Sequence, residues 1–293
     1  MRVTQQTMVR QALLRLEQRN ANLDRLSSAI SSGKEVQNPS DSPERYSRSA
    51  KMKETLQQNE QYSKTIRNSL AWLRTTETAV NSLNDLALEA RDIAFKGADA
   101  TTDDSLLDSL AERVEGILEE MVDVFNTDYL GKSIFSGSET SMADPFRMVS
   151  GRVAYFGDSA GLQRRIGASV TIQISISGSD LQSTGLAEEM ANLRDALINR
   201  DRSSISTAID TLKTASESML SLAASVGSRQ TTLVAMESRI EQINLNLSSF
   251  VSEEEDVDLA EAIVKLESEQ NAYTAALRTT AEISQLNIMQ FFR

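Results

Sequence analysis

Val257-Asp-Leu-Ala-Glu-Ala-Ile-Val-Lys-Leu266, continuing to Ile288-Met289 without a proline or glycine, is the stretch that decides the fold. Leu259, Ile263, Leu266, Gln270, Tyr273 and Leu277 follow one another in steps of four and three, which puts them on one narrow stripe of an α-helix. Asp258 stands three residues before Glu261, a variant of the capping box. Glu253 to Asp256 lie just upstream, where carboxylates favour the positive end of a helix dipole. A stripe this thin needs a partner helix. The other end of the chain supplies one, with Val9, Leu13, Leu16, Leu23, Leu26 and Ile30 at nearly the same spacing. The two ends are therefore expected to pair, and Gln270 and Asn20 interrupt the stripes with groups that tolerate only partial burial.

Composition excludes several classes of function. The 293 residues carry 42 Asp and Glu against 30 Lys and Arg, a net charge of −12. No cationic surplus is left to neutralise phosphates, so no nucleic-acid partner is expected. With no cysteine and no histidine, disulfides, thiolate nucleophiles, Cys/His metal sites and imidazole bases are ruled out. No run approaches the ~20 apolar residues of a membrane span, so no membrane insertion is expected. The first thirty residues lack the apolar core of a cleaved secretory signal.

Along the chain, residues 2–31 read as a helix that Gly33 ends in the left-handed conformation. Residues 34–43 form a loop, barred from helix by Pro39 and Pro43 and containing Asp41. Ser42 and Pro43 restart the chain as N-cap and first helical residue. A second helix over 44–96 would be about 80 Å long, the length of a rod. A third, over 103–126, carries Leu107, Leu110, Val114, Ile117, Met121 and Val124.

The character changes after Asn126, with eight of the twelve glycines falling between Gly131 and Gly185. Val170 to Ile176 alternates apolar and polar as a half-buried strand does, and 148–156 is a looser strand. Helices resume at Leu186 and run through 203–250, with a break or bend expected at Gly227. The expected fold class is mainly α: a long antiparallel helical rod or coiled coil with paired N- and C-terminal helices and a small inserted β domain. The expected division is 1–43 with 252–293 as a terminal-helix domain, 44–130 with 186–251 as the helical rod, and 131–185 as an outer β domain.

Candidate chemistry is sparse. Glu253 to Asp256, and Asp99, Asp103 and Asp104, lack the alternating Asp and central Gly of a calcium loop. They read as solvated helix starts and turns. Ser136-Gly-Ser138 lacks the nucleophile elbow, and no histidine exists to activate it. Gly157 to Gly161 lacks the phosphate-loop lysine and reads as a hairpin turn. Trp72 reads as packing. No catalytic residue, metal or cofactor is expected.

Two segments carry a family resemblance. Leu26-Ser-Ser-Ala-Ile-Ser-Ser-Gly-Lys34 with Asn38-Pro-Ser-Asp-Ser-Pro43, near one end, resembles the N-terminal segment of the flagellin family of bacterial axial proteins. Asp258-Leu-Ala-Glu-Ala-Ile263 with Gln270 and Ala275-Ala-Leu277 matches the C-terminal one. Ser42 and Glu44-Arg45 depart from the usual pattern. Asn126 to Gly137, Asp144-Pro-Phe146 and Tyr155 to Asp158 resemble the members that sit between hook and filament. The resemblance implies a non-catalytic flagellar subunit, with flagellin itself, the filament subunit, as the alternative. It implies self-association in a ring through Val9, Leu13, Leu16, Leu23, Leu26, Ile30, Leu259, Ile263, Leu266, Tyr273 and Leu277. Gly33, Pro39, Asp41 and Pro43 would form the interdomain loop. Implied neighbours are the first hook-associated protein and flagellin, and a cytosolic chaperone at the C-terminal helix. Export without signal cleavage, to the extracellular flagellum, is implied as well. Because a thin stripe does not offset the ordering of about sixty residues, the terminal helices are expected to be largely unfolded in the free monomer and to form on assembly.

Overall fold

The structure, a computed structural model, describes the backbone of residues 3–291 and the side chains of 7–282. Residue 2, and the side chains of Ile288 and Met289, lie outside that range. The chain is mainly helical, with paired terminal helices and two small inserted sheets. In order, the elements are α1 (Val3–Ser32), α2 (Pro43–Ala98), α3 (Asp104–Phe125), β1 (Phe146–Val149), β2 (Arg152–Tyr155), β3 (Gln163–Arg165), β4 (Thr171–Gln173), α4 (Gly178–Ser183), α5 (Leu186–Ile198), α6 (Arg202–Glu255) and α7 (Leu259–Phe291). They divide into two compact units. One is Met1–Gln58 with Ile243–Arg293, and the other is Asn59–Gln242.

The second unit is held by a heptad core. Leu73, Val80 and Leu83 of α2 meet Val114, Ile117 and Met121 of α3, Met190, Leu193 and Leu197 of α5, and Ile205, Leu212 and Met219 of α6. Asp103 caps α3 by accepting from the Leu106 N–H at 2.8 Å. The stretch 148–156 forms most of an antiparallel hairpin, β1–β2, in which Phe146 faces Tyr155 and Val149 faces Arg152. Its two-residue turn, Ser150-Gly151, has positive φ at both positions, as a right-twisted hairpin requires. Only Thr171–Gln173 of the expected 170–176 strand pairs, with Gln163–Arg165. Beyond it the alternation is lost, since Ile174, Ser175 and Ile176 are all buried.

Residues 131–185 send Ile134, Phe135, Phe146, Ile166, Ile174 and Ile176 into the same core as the helices. Phe146 stacks on Phe125 of α3 with ring centres 4.5 Å apart, and Tyr155 covers its other side at 4.8 Å. Residues 157–161, expected as a hairpin turn, instead link the two hairpins. There Asp158 accepts from the Ser138 and Ala160 amides. Gly227 neither breaks nor bends into a new element: α6 is continuous from Arg202 to Glu255. A helical glycine costs only about 1 kcal/mol relative to alanine, and the buried Met219, Val226 and Leu233 on either side hold the helix in place.

In the first unit α1 lies along α7. Gly33, at φ +74°, ends α1. Asp41 Oδ2 accepts from the Gln37 and Asn38 amides at 3.0 and 2.8 Å, which closes the loop before Pro43 opens α2.

Candidate assembly interface

The face of α1 turned to α7 is built from half-buried Val9, Ala12, Leu16, Arg19, Leu23, Leu26 and Ile30, with Ala29 fully buried. The facing positions on α7 are Ala262, Leu266, Glu269, Tyr273, Ala276 and Thr280. Arg19 Nη1 reaches Glu269 at 2.8 Å across this seam. Of the α7 stripe read from the sequence, Leu266 and Tyr273 lie on the seam. Leu259 (50% exposed), Ile263 (47%) and Leu277 (44%) do not, and Gln270 is exposed beside them. On α1, Leu13 is also exposed. The pairing therefore uses Leu266 and Tyr273 together with small and polar residues of α7, and Leu259, Ile263 and Leu277 are left exposed on a flanking, outward stripe. Val264, Met8 and Leu14 are exposed as well.

The acidic run 253–256 is not a solvated helix start. It closes α6, and Glu255 is 3% exposed. Lys34 Nζ donates to Glu255 Oε2 at 2.7 Å, and Lys53 and Ser49 donate to Oε1. Its carbonyl accepts from the Glu35 and Val36 amides, and Val257 N–H returns to Gly33 O. Arg48 holds Glu254 through two nitrogens, at 2.9 and 3.0 Å. Carboxylates at a helix C-terminus oppose the dipole, and these cations offset that. Burial works against ionisation of Glu255. The hydrogen bonds from Lys34, Lys53 and Ser49 overcome it and bring the carboxyl down from 4.5 to about 2. Asp258 starts α7 by accepting from the Ala260 and Glu261 amides, but Glu261 turns away to Lys265, so only half of the capping box forms.

The expected interdomain loop lies inside the first compact unit, between α1 and α2. Gly33 and Pro43 bound the loop, Pro39 lies inside it, and Asp41 is its hydrogen-bonding centre, its carboxyl lowered by the Asn38 and Gln37 amides. The Glu255 node escaped the sequence reading. A signal existed in the two lysines, Lys34 and Lys53, on the segments flanking Pro43, but nothing in the sequence pairs them with residue 255. Elsewhere Ser136 is buried with its hydroxyl toward Ser133 O, and Ser138 is held by Asp158. Among the described residues, no three acidic side chains converge on a metal-sized site. No helix there is long and apolar enough to cross a membrane.

Comparison with known proteins agrees with this layout. Residues 3–140 match the bacterial flagellin N-terminal helical region. The flagellar hook-associated protein 3 of Escherichia coli K12 is 23% identical over 317 aligned positions, covering 99% of both chains. That of Salmonella typhimurium LT2 is 22% identical, covering 100% of both. Among solved structures, a hook-associated protein from Vibrio parahaemolyticus superposes with a TM-score of 0.68 at 17% identity, over 74% of this chain and 100% of its own. Residues 3–140 of the chain are thus similar to the bacterial flagellin N-terminal helical region, and the whole chain is similar to hook-associated protein 3 from end to end.

Proposed function

We propose that this protein is a non-catalytic structural subunit of the bacterial flagellum, placed where hook meets filament and assembled through its terminal helices. The observation that carries the reading is the outward apolar face of α7. Leu259, Ile263 and Leu277 are nearly half exposed on a stripe that flanks the one through which the helix is already paired. Contiguous exposed apolar side chains on a surface helix mark an interaction site. End-to-end likeness to proteins named for the hook supports the place in the organelle.

On this reading copies self-associate in a ring, with the first hook-associated protein on one side and flagellin on the other. Val9, Leu16, Leu23, Leu26, Ile30, Leu266 and Tyr273 hold the helix pair, and Leu13, Leu259, Ile263 and Leu277 meet neighbouring subunits. A cytosolic chaperone covers the C-terminal helix before export, which proceeds without signal cleavage. The three stretches 1–43 with 252–293, 44–130 with 186–251, and 131–185 serve as axial, intermediate and outer parts. The test is deletion of the gene in its own host. Cells should complete hooks yet release flagellin into the medium. Filament-less cells that release no flagellin would favour the filament subunit instead.

A further inference from the structure

One cleft of the second unit differs in charge from the rest of this acidic chain. It has a volume of about 310 Å³ and lies between α2, the turn at 129–132 and the β3–β4 hairpin. Lys132 and Arg164 line it, and no carboxylate does. The side chains of both cations make no ion pair or hydrogen bond among the described residues. Trp72 lines the same cleft. It is 4% exposed and packed edge-on to Tyr129, and its indole nitrogen is sealed from solvent, with no hydrogen-bond partner among the described residues. The nearest turn carboxylate, Asp128, is committed to the Gly131 amide.

At the rim stands Leu130, the most exposed large apolar side chain of the described residues, at 83%. It is held at φ +54°, a conformation a leucine rarely adopts, by reciprocal backbone hydrogen bonds between Tyr129 and Lys132. Strain and exposure combined at one loop tip are features that function retains and folding alone does not ask for.

We propose that this cleft receives a carboxylate presented by another protein chain, with Arg164 and Lys132 as counter-charges, Trp72 in its wall and Leu130 against the apolar part of the ligand. A planar guanidinium matches a carboxylate through paired N–H bonds. The apolar rim favours a peptide side chain over a free acid. The inference goes beyond the flagellar reading and is tested on purified protein, so either can fail alone.

Trp72 is the sole tryptophan of the chain, and its emission reports on the cleft directly. The full-length protein is titrated with acetyl-Glu-Leu-Glu-Leu-amide, with the same peptide carrying Gln for Glu, and with glutarate, all at constant ionic strength. The Glu peptide should give a saturable change in emission. The Gln peptide, and the Glu peptide on the Lys132→Ala/Arg164→Ala variant, should bind at least about tenfold more weakly. Both substituted residues are exposed, so the variant should retain the wild-type circular dichroism. No saturable change, or equal binding by the Gln peptide or by the double variant, overturns the proposal. Glutarate binding as tightly as the peptide overturns its protein-borne part.

Discussion

Lys34 Nζ lies 2.7 Å from Glu255 Oε2, across 221 positions of sequence, and Lys53 grips the other oxygen of the same carboxylate. This node ties the loop after α1 and the first turns of α2 to the end of α6.

Its consequence for pH follows from the direction of the shift. The Glu255 carboxyl ionises more readily in the folded chain than in the unfolded one, falling from 4.5 to about 2. The stabilisation it contributes is therefore complete above its unfolded value and lost as pH falls from there toward about 2. Glu255→Gln should cost about 2–3 kcal/mol at neutral pH, because two cations are left facing a neutral amide. Thermal melts of wild type and variant should differ at pH 7 and converge near pH 2. A gap of constant size across that range would show that the ion cluster is not its source.

The outward face of α7 is separable from the pairing face. Ile263→Asn with Leu277→Asn should change the stability of the free protein by no more than about 0.5 kcal/mol per site, because both side chains are already half in water. The same double variant should fail to attach filaments in a motility and flagellar-staining assay. Normal filaments would remove this face from the assembly.

Residues 131–185 share a core with the helices, so their removal should be felt there. Phe146→Ala leaves a hole against Phe125 and Tyr155, at a cost of about 3–5 kcal/mol. Replacing the whole segment by a short Gly/Ser turn should lower the helical melting transition. An unchanged transition would mark 131–185 as an independent outer domain.

Protease cuts in the purified, demonstrably monomeric chain should concentrate before about Pro43 and after about Val251. The seam covers one side of each terminal helix, and its α7 half is mostly alanine and polar groups. Resistance of Leu13–Ile30 and Leu259–Leu277 equal to that of the middle would show that these helices hold without neighbours.

Gly227 offers a gain of stability. Nothing lies within 4 Å of where its Cβ would stand. Gly227→Ala should stabilise the protein by about 0.5–1 kcal/mol, read as a higher melting temperature.

The helices and their order were legible in the sequence because apolar spacing, Gly33 and Pro43 are strong local signals. The face that α7 turns to α1 was legible only in part. Periodicity finds the apolar stripe Leu259, Ile263, Leu266, Tyr273 and Leu277, of which only Leu266 and Tyr273 lie on the seam; the rest of the pairing runs through Ala262, Glu269, Ala276 and Thr280, which carry little hydrophobic signal. Glu255 was misread for a related reason: four acidic residues in a row look solvated, and only the fold brings Lys34 and Lys53 to the third of them. Gly227 misled in the opposite sense, since a local helix breaker is overridden when buried neighbours on both sides belong to one core. The departure of Ile174–Ile176 from strand came from burial on both faces, which alternation cannot announce.

The Arg19–Glu269 and Lys34–Glu255 pairs join positions 250 and 221 apart. Contacts so distant along the chain are made only after most of it is available. During synthesis, or in passage end-first through any narrow opening, α1 exists without its counterpart until residues 243–293 arrive. The terminal unit is thus the last part to close, and the time at which it closes is set by the arrival of the far end of the chain.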